Sequence, residues 1–399
     1  MIPELWQKIR QAALDTLQLD EKTLQHGLEL HQNSYVFDAY GFSPTGGGKC
    51  PRVAELINSG ASRNEINHAL EEFRQNSSFD DPDMRSMLKA AWDFAGVDCN
   101  FQNSGLEGND PVELLFRLSN YTAVADRLKD IYERAVFPDE LDGIRERGHR
   151  AIYMTTNGVP LPDNKISAEE SLGLIKVFFN LGVRMMHLTY NRRNLIGDGC
   201  AEISDAGLSS FGREVIAEMN RTGVLVDVAH SGQKTSYEAA KASTRPMVAS
   251  HTVASALSTH YRGKNDEVIR AIVETGGFVG VCTIPGFLQN SMDINAFLDH
   301  IEYIARKFGV DHVAIGSDSG AHLAQVDISG TFPAQRPIWE QFWTPPGVPA
   351  ASNEKEWSVN WLNWPIYTAG LVKRGFTDEE IRKIIGGNVR RVITEILEK

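Results

Sequence analysis

The sequence is poor in cysteine, has no long apolar run and carries a deficit of positive charge. Only four cysteines occur in 399 residues, Cys50, Cys99, Cys200 and Cys282, and no two form a CxxC pair. Neither a disulfide framework nor a thiolate zinc knuckle is therefore indicated. No stretch approaches the roughly 18 consecutive apolar residues of a membrane span. The N-terminal segment MIPELWQKIRQAALDTLQLD mixes charged with apolar residues and lacks the apolar centre of a secretory signal. These absences predict a soluble protein in a reducing, cytoplasmic setting, with no membrane partner. The formal net charge is −12, from 52 acidic and 40 basic residues. A surface of that sign repels phosphate backbones, so nucleic acid is not an expected partner. No GxGxxG or Walker loop opens a helix-like stretch, and no nucleotide cofactor is expected.

What is present is a globular composition, 42% hydrophobic and 23% charged, on a chain long enough for a large core. Short apolar runs alternate with amphipathic stretches. The runs are YVFDA (35–39), RAIYMTT (150–156), VRMMHLTY (183–190), GVLVDVAH (223–230), PMVASH (246–251), GGFVGVCTIP (276–285) and DHVAIGSD (311–318). Helix-like segments such as GLSSFGREVIAEMNRT separate them. Strand, helix, strand at this spacing reads as parallel βα units. The runs are nearly continuous in apolar residues, as strands covered on both faces are. The fold class predicted is α/β, a single (β/α)8 barrel of TIM type over residues 1–399. Residues 43–148 read as a helical insertion and 328–365 as a Trp- and Pro-rich loop over the barrel. That loop holds Trp339, Trp343, Trp357, Trp361 and Trp364.

In such a barrel, chemistry is expected where strands end. The ends carry Asp38, Tyr40 and Phe42, then Asn157, Tyr190, His230, His251 and Asp318. Two imidazoles on neighbouring strands can grip one divalent ion, and a carboxylate on the last strand can handle a proton of the attacking water. His187 lies an odd number of positions from Tyr190, so strand alternation turns it toward the outer helices. His300 and His312 read as structural. Cys282 reads as a small buried thiol at a strand end.

The segments LTYNRRNLIGDGC, GLSSFGREVIAEMNRTGVLVDVAHS, PMVASHTVASALSTHYR, GGFVGVCTIPGF and VDHVAIGSD, with IIGGNVRRV near the end, resemble the renal (membrane) dipeptidase family of zinc metallopeptidases. The resemblance implies a distorted (β/α)8 barrel with two zinc ions at its mouth, a small-molecule dipeptide substrate and hydrolysis by a bridging water. It implies that His230 and His251 are metal ligands, that Asp318 handles the proton and that Arg262 binds the substrate carboxylate. A homodimer is left open.

Departures from the family pattern are as informative. Its His-x-Asp ligand pair reads Tyr40-Gly41-Phe42, and its bridging glutamate reads Asn157. The histidine that supports the reacting carbonyl is Tyr190, and a second aspartate after the last strand is Gly320. Phe ligates no metal, and neutral Asn and Tyr replace carboxylates poorly. The expectation is one divalent ion, zinc, or an altered site, with His230 and His251 as ligands. Asp318, Tyr40 or water is the third ligand, with Glu107 as a further candidate. Asp318 and Tyr190 are the candidate catalytic residues; Arg262, Asn157 and Tyr40 are the candidate substrate-binding residues. Two other readings stay open: a lyase, dehydratase or isomerase that uses the gained tyrosines, and a catalytically silent homologue.

Overall fold

The computed structural model describes residues 2–105, 107–161, 167–327 and 351–397. Eight parallel strands form the centre: β1 (Phe37–Gly41), β2 (Cys99–Asn103), β3 (Arg150–Thr156), β4 (Val183–His187), β5 (Leu225–Asp227), β6 (Met247–Thr252), β7 (Phe278–Val281) and β8 (Val313–Ile315). They pair in chain order, and a short strand at Tyr132–Arg134 adds to β3 outside the ring. At the C-terminal ends of β8 and β1, the Asp318 amide donates to Tyr40 O at 2.9 Å and the Phe42 amide to Ser319 O at 3.0 Å. These two bonds tie the first and last strands together at the mouth.

Alternation along the strands sorts the core. Phe37, Phe101, Tyr153, Met185, Leu225, Val248, Phe278 and Ala314 point inward and are buried together. The residues beside them along the strands, Ile152, Met154, Met186, Val226, Ala249, Val279, Val313 and Ile315, point outward, under the helices. Each fully buried side chain of this size contributes about 1.5–3 kcal/mol. The helix Asn388–Leu397 sends Val389, Val392, Ile393 and Ile396 into the inner cluster and stops the N-terminal end of the ring. The opposite end is left for a site. Among the described residues, no helix is long and apolar enough to cross a membrane.

The sequence expectation misplaces residues 43–148. The helix Pro82–Ala95, strand β2 and the helix Pro111–Arg127 are part of the barrel. β2 reads CNFQN, with one large apolar residue and no β-branched one, so it lacks the apolar run that marks the other strands. The excursion proper is smaller. It comprises Gly48–Lys49, paired with Val326–Asp327, and the helices Pro51–Asn58 and Arg63–Asn76. A reciprocal Ser62–Glu65 capping box opens the second helix. Arg117 fastens it to the mouth by an ion pair with Glu71 and by bonds to Asn103 Oδ1 (3.1 Å) and Gly105 O (2.9 Å).

Of the Trp-rich loop, residues 328–350, with Trp339 and Trp343, lie outside the described residues. Trp361 and Trp364 are fully buried, and Trp361 Nε1 donates to Asp38 Oδ2 at 3.2 Å behind β1. These two are packing residues on the barrel's flank.

Candidate active site at the barrel mouth

Three strands bring imidazoles to one place. β5 ends at Asp227, whose Oδ1 accepts from the Ala229 amide at 2.9 Å and so turns the chain toward His230. β6 carries His251, and β4 ends in His187. One ligand atom from each of His187, His230 and His251 lies within 4.8 Å of the others, and all three residues are buried. The expectation for His187 fails. Its parity is that of Met185, which faces the interior, and its ring centroid is 5.2 Å from that of His230. β4 stops at His187, so alternation could not be counted across the loop to Tyr190.

Hydrogen bonds fix the proton on His251. His230 Nδ1 lies 2.9 Å from Asn191 Oδ1 and 3.0 Å from Arg262 Nη1. Ser250 Oγ donates to Asp227 Oδ2 and lies 2.8 Å from His251 Nδ1, so that nitrogen carries a proton. The proton on Nδ1 leaves His251 Nε2 with its lone pair, and this atom faces His230 Nε2 3.0 Å away. Burial, followed by the nearby Arg262 charge, holds both imidazoles well below the usual histidine range, so both are neutral. Two buried, neutral imidazoles whose Nε2 atoms meet at this distance form a candidate cation site. His187 is turned to other partners, with Nε2 2.8 Å from Asp227 Oδ2 and Nδ1 3.2 Å from Thr156 O. Burial raises the Asp227 carboxyl, but His187 and the Ser250 bonds outweigh it, and the group stays ionised.

A centre of two ions does not fit the donors present. Tyr40 donates its hydroxyl to Asn157 Oδ1 at 2.5 Å. Its ring lies flat on His251, with centroids 3.8 Å apart and planes 14° from parallel. Phe42 brings no donor. A single ion fits the two Nε2 atoms, and the Ser250 contact at His251 Nδ1 is of the kind that orients metal-binding histidines.

Arg262 is placed differently from expectation. It is fully buried, with Nη1 2.8 Å from His230 Nε2 and Nη2 donating to His251 O at 2.7 Å. The guanidinium, drawn to the imidazole lone pair, sits behind His230 instead of on the cavity wall.

The cavity at the mouth has a volume of about 570 Å³. Tyr40, Asn157, Tyr190, His230 and Asp318 line its floor, and Ile284, Pro285, Phe287 and Met292 form an apolar side. Tyr190 stacks on His230 at 4.2 Å. Burial raises both tyrosines well above their ordinary range, so both stay protonated and can donate. Asp318 has φ +53°, a left-handed conformation uncommon for a non-glycine residue. Burial pushes its carboxyl up to about 6, against the pull of Arg262 and His187. A second chamber of about 800 Å³ under the helix Arg63–Asn76 shares Phe42, Glu107, Tyr190 and Asp318 with the first. Glu107 thus lies on the cavity wall. Cys282 is buried, and its thiol is pushed up to about 12. Sequence reasoning missed Asn191, Asp227 and Ser250. Asp227 and Ser250 adjoin the histidines in DVAH and ASH, which was the available signal.

With this geometry in view, the chain can be placed. The signature of the family described as membrane dipeptidase (peptidase family M19) matches residues 92–329. The chain belongs to that family. It is 26% identical over 278 residues to dipeptidase tcpJ of Claviceps purpurea (strain 20.1), covering 68% of this chain. The match spans 57% of that relative's own length. The fold is similar to that of an amidohydrolase from Pseudomonas aeruginosa, with TM-score 0.65, 25% identity, and 94% and 99% of the two chains covered. It is also similar to that of the probable dipeptidase PvdM from Pseudomonas aeruginosa, with TM-score 0.67, 20% identity, and 95% and 99% covered. The second of these likenesses concerns the fold alone.

Proposed function

We propose that this chain is a hydrolase of a dipeptide or related small amide, working at the barrel mouth with one divalent ion, zinc, held by His230 and His251. The observation that carries this reading is the pair of buried imidazoles whose Nε2 atoms lie 3.0 Å apart. When bound, such an ion supplies Lewis-acid polarisation and a water of lowered pKa. The protein's own groups do the rest. Asp318, a carboxylate at neutral pH, takes the proton of the attacking water and returns it to the leaving amine. Tyr190 donates its hydroxyl toward the oxygen on which charge develops. Tyr40 and Asn157, bonded to each other, fix the polar wall that the substrate meets. The apolar side formed by Ile284, Pro285, Phe287 and Met292 receives a substrate side chain. Family membership and the likeness to a named dipeptidase support the reaction class.

A second reading is favoured by one contact. The Tyr40–Asn157 bond occupies the place of charged ligands in the family pattern. A proton-donating phenol there suits a lyase, dehydratase or isomerase acting on a small polar substrate.

Elemental analysis together with a dipeptide panel, assayed with added zinc, manganese or cobalt, separates the two. One ion per chain with dipeptide turnover is the expected result. Absence of turnover with every metal would overturn the hydrolase reading in favour of the second.

A further inference from the structure

We propose that Asp227 and Ser250 are positioning residues that set the tautomer of His251 and so aim its Nε2 lone pair at His230. The proposal rests on the reading of that pair as a cation site. It concerns the chain's own proton arrangement, which can be observed with no ion present.

The chain of bonds is complete. Asp227 Oδ1 accepts from the amides of Ala229 (2.9 Å) and Ser250 (3.0 Å). Asp227 Oδ2 accepts from Ser250 Oγ, and His187 Nε2 lies 2.8 Å from the same oxygen. An ionised carboxylate only accepts. The Ser250 hydroxyl proton is therefore committed to Asp227, and its oxygen presents a lone pair to His251 Nδ1 at 2.8 Å. The other tautomer would set two lone pairs against each other at that contact. It would also direct an N–H at His230.

Neither residue has room to rearrange. Asp227, Ser250 and His251 are fully buried. A Cβ on Gly280 or on Gly316 would lie 1.9 Å from Ser250 O, so β7 and the end of β8 close on the Ser250 backbone. Only glycine permits that approach, and it pins the residue that precedes His251. The short segment Asp227–His230 thus performs two tasks. Its last residue brings one Nε2 atom, and its first orients the lone pair that faces it through a neighbouring strand.

Nitrogen-15 NMR of histidine-labelled, ion-free protein reads which His251 nitrogen bears the proton, and a cobalt titration reads affinity. In the natural sequence, His251 is expected as the Nδ1–H form. Ser250→Ala removes the acceptor, so the Nδ1–H preference is lost and cobalt affinity falls about ten- to a hundredfold. Ser250→Thr keeps the hydroxyl and restores both. Asp227→Asn is the sharper variant. Its amide donates to Ser250 Oγ, Ser250 turns its proton onto His251 Nδ1, and the ring flips to the Nε2–H form.

An unchanged His251 signature in both Ser250→Ala and Asp227→Asn would overturn the proposal, as would a cobalt affinity unaffected by Ser250→Ala. A natural protein that binds no cobalt but loses its Nδ1–H form in Ser250→Ala would support the positioning role and overturn the metal reading. Should Ser250→Ala fail to fold, the flip in Asp227→Asn and the restoration in Ser250→Thr decide the matter.

Discussion

Tyr40 lies face to face with His251, ring centroids 3.8 Å apart, and its hydroxyl holds Asn157 at 2.5 Å. A phenol therefore covers one side of the imidazole pair where the family pattern places charged ligands. Tyr40→His, Phe42→Asp and Asn157→Glu made together replace three non-ligands with three ligand groups. Elemental analysis of the triple variant is expected to give two ions per chain against one in the natural sequence. A triple variant that still holds one ion would show that these three positions do not limit the count.

Arg262 and a divalent ion compete for one nitrogen, since Nη1 of Arg262 lies 2.8 Å from His230 Nε2. Arg262→Met removes the competing charge. A chelator-competition titration is expected to show about tenfold tighter zinc binding, the equivalent of one pKa unit of relieved repulsion. Weaker binding would mean that the guanidinium supports the pair and does not oppose it.

The Asp318 carboxyl, raised to about 6 by burial, gives the pH dependence of activity its sign. A base must be ionised, so kcat/KM rises with pH through about 6 and levels above it. Asp318→Asn is expected to lower kcat by about 10²- to 10⁴-fold and to abolish that limb of the profile. An acid limb unchanged in the variant would assign the titration to another group.

His31 gives stability its own pH dependence. It is buried between Thr368 Oγ1 (2.8 Å) and Ala95 O (3.0 Å), and burial lowers it to about 4 from 6.5. Between those values the unfolded chain binds the extra proton, so stability is lost as pH falls from 6.5 toward 4. The full effect is about 3 kcal/mol. His31→Gln, which cannot charge, is expected to flatten the fall in Tm between pH 6.5 and 4.

The barrel could be read from the sequence wherever a strand is built of aliphatic and β-branched residues, as in MVAS of β6 and VAI of β8. β2 escaped because Asn100, Gln102 and Asn103 are buried by hydrogen bonding and not by hydrophobicity. The histidines at positions 230 and 251 were legible because they end apolar runs. The orientation of His187 was not, since alternation holds only within a strand and β4 ends there. The burial of Arg262 was also beyond reach, because its partners lie 32 and 11 positions away along the chain.

The bond from the Asp318 amide to Tyr40 O joins the first and last strands, and both residues also line the cavity. The seam of the cylinder and the floor of the pocket are thus one object. Any breathing that parts the two ends of the sheet must dismantle the pocket as well. A molecule that grips both residues would act as a clasp across the opening, and hydrogen exchange at the Asp318 and Phe42 amides should slow when it binds.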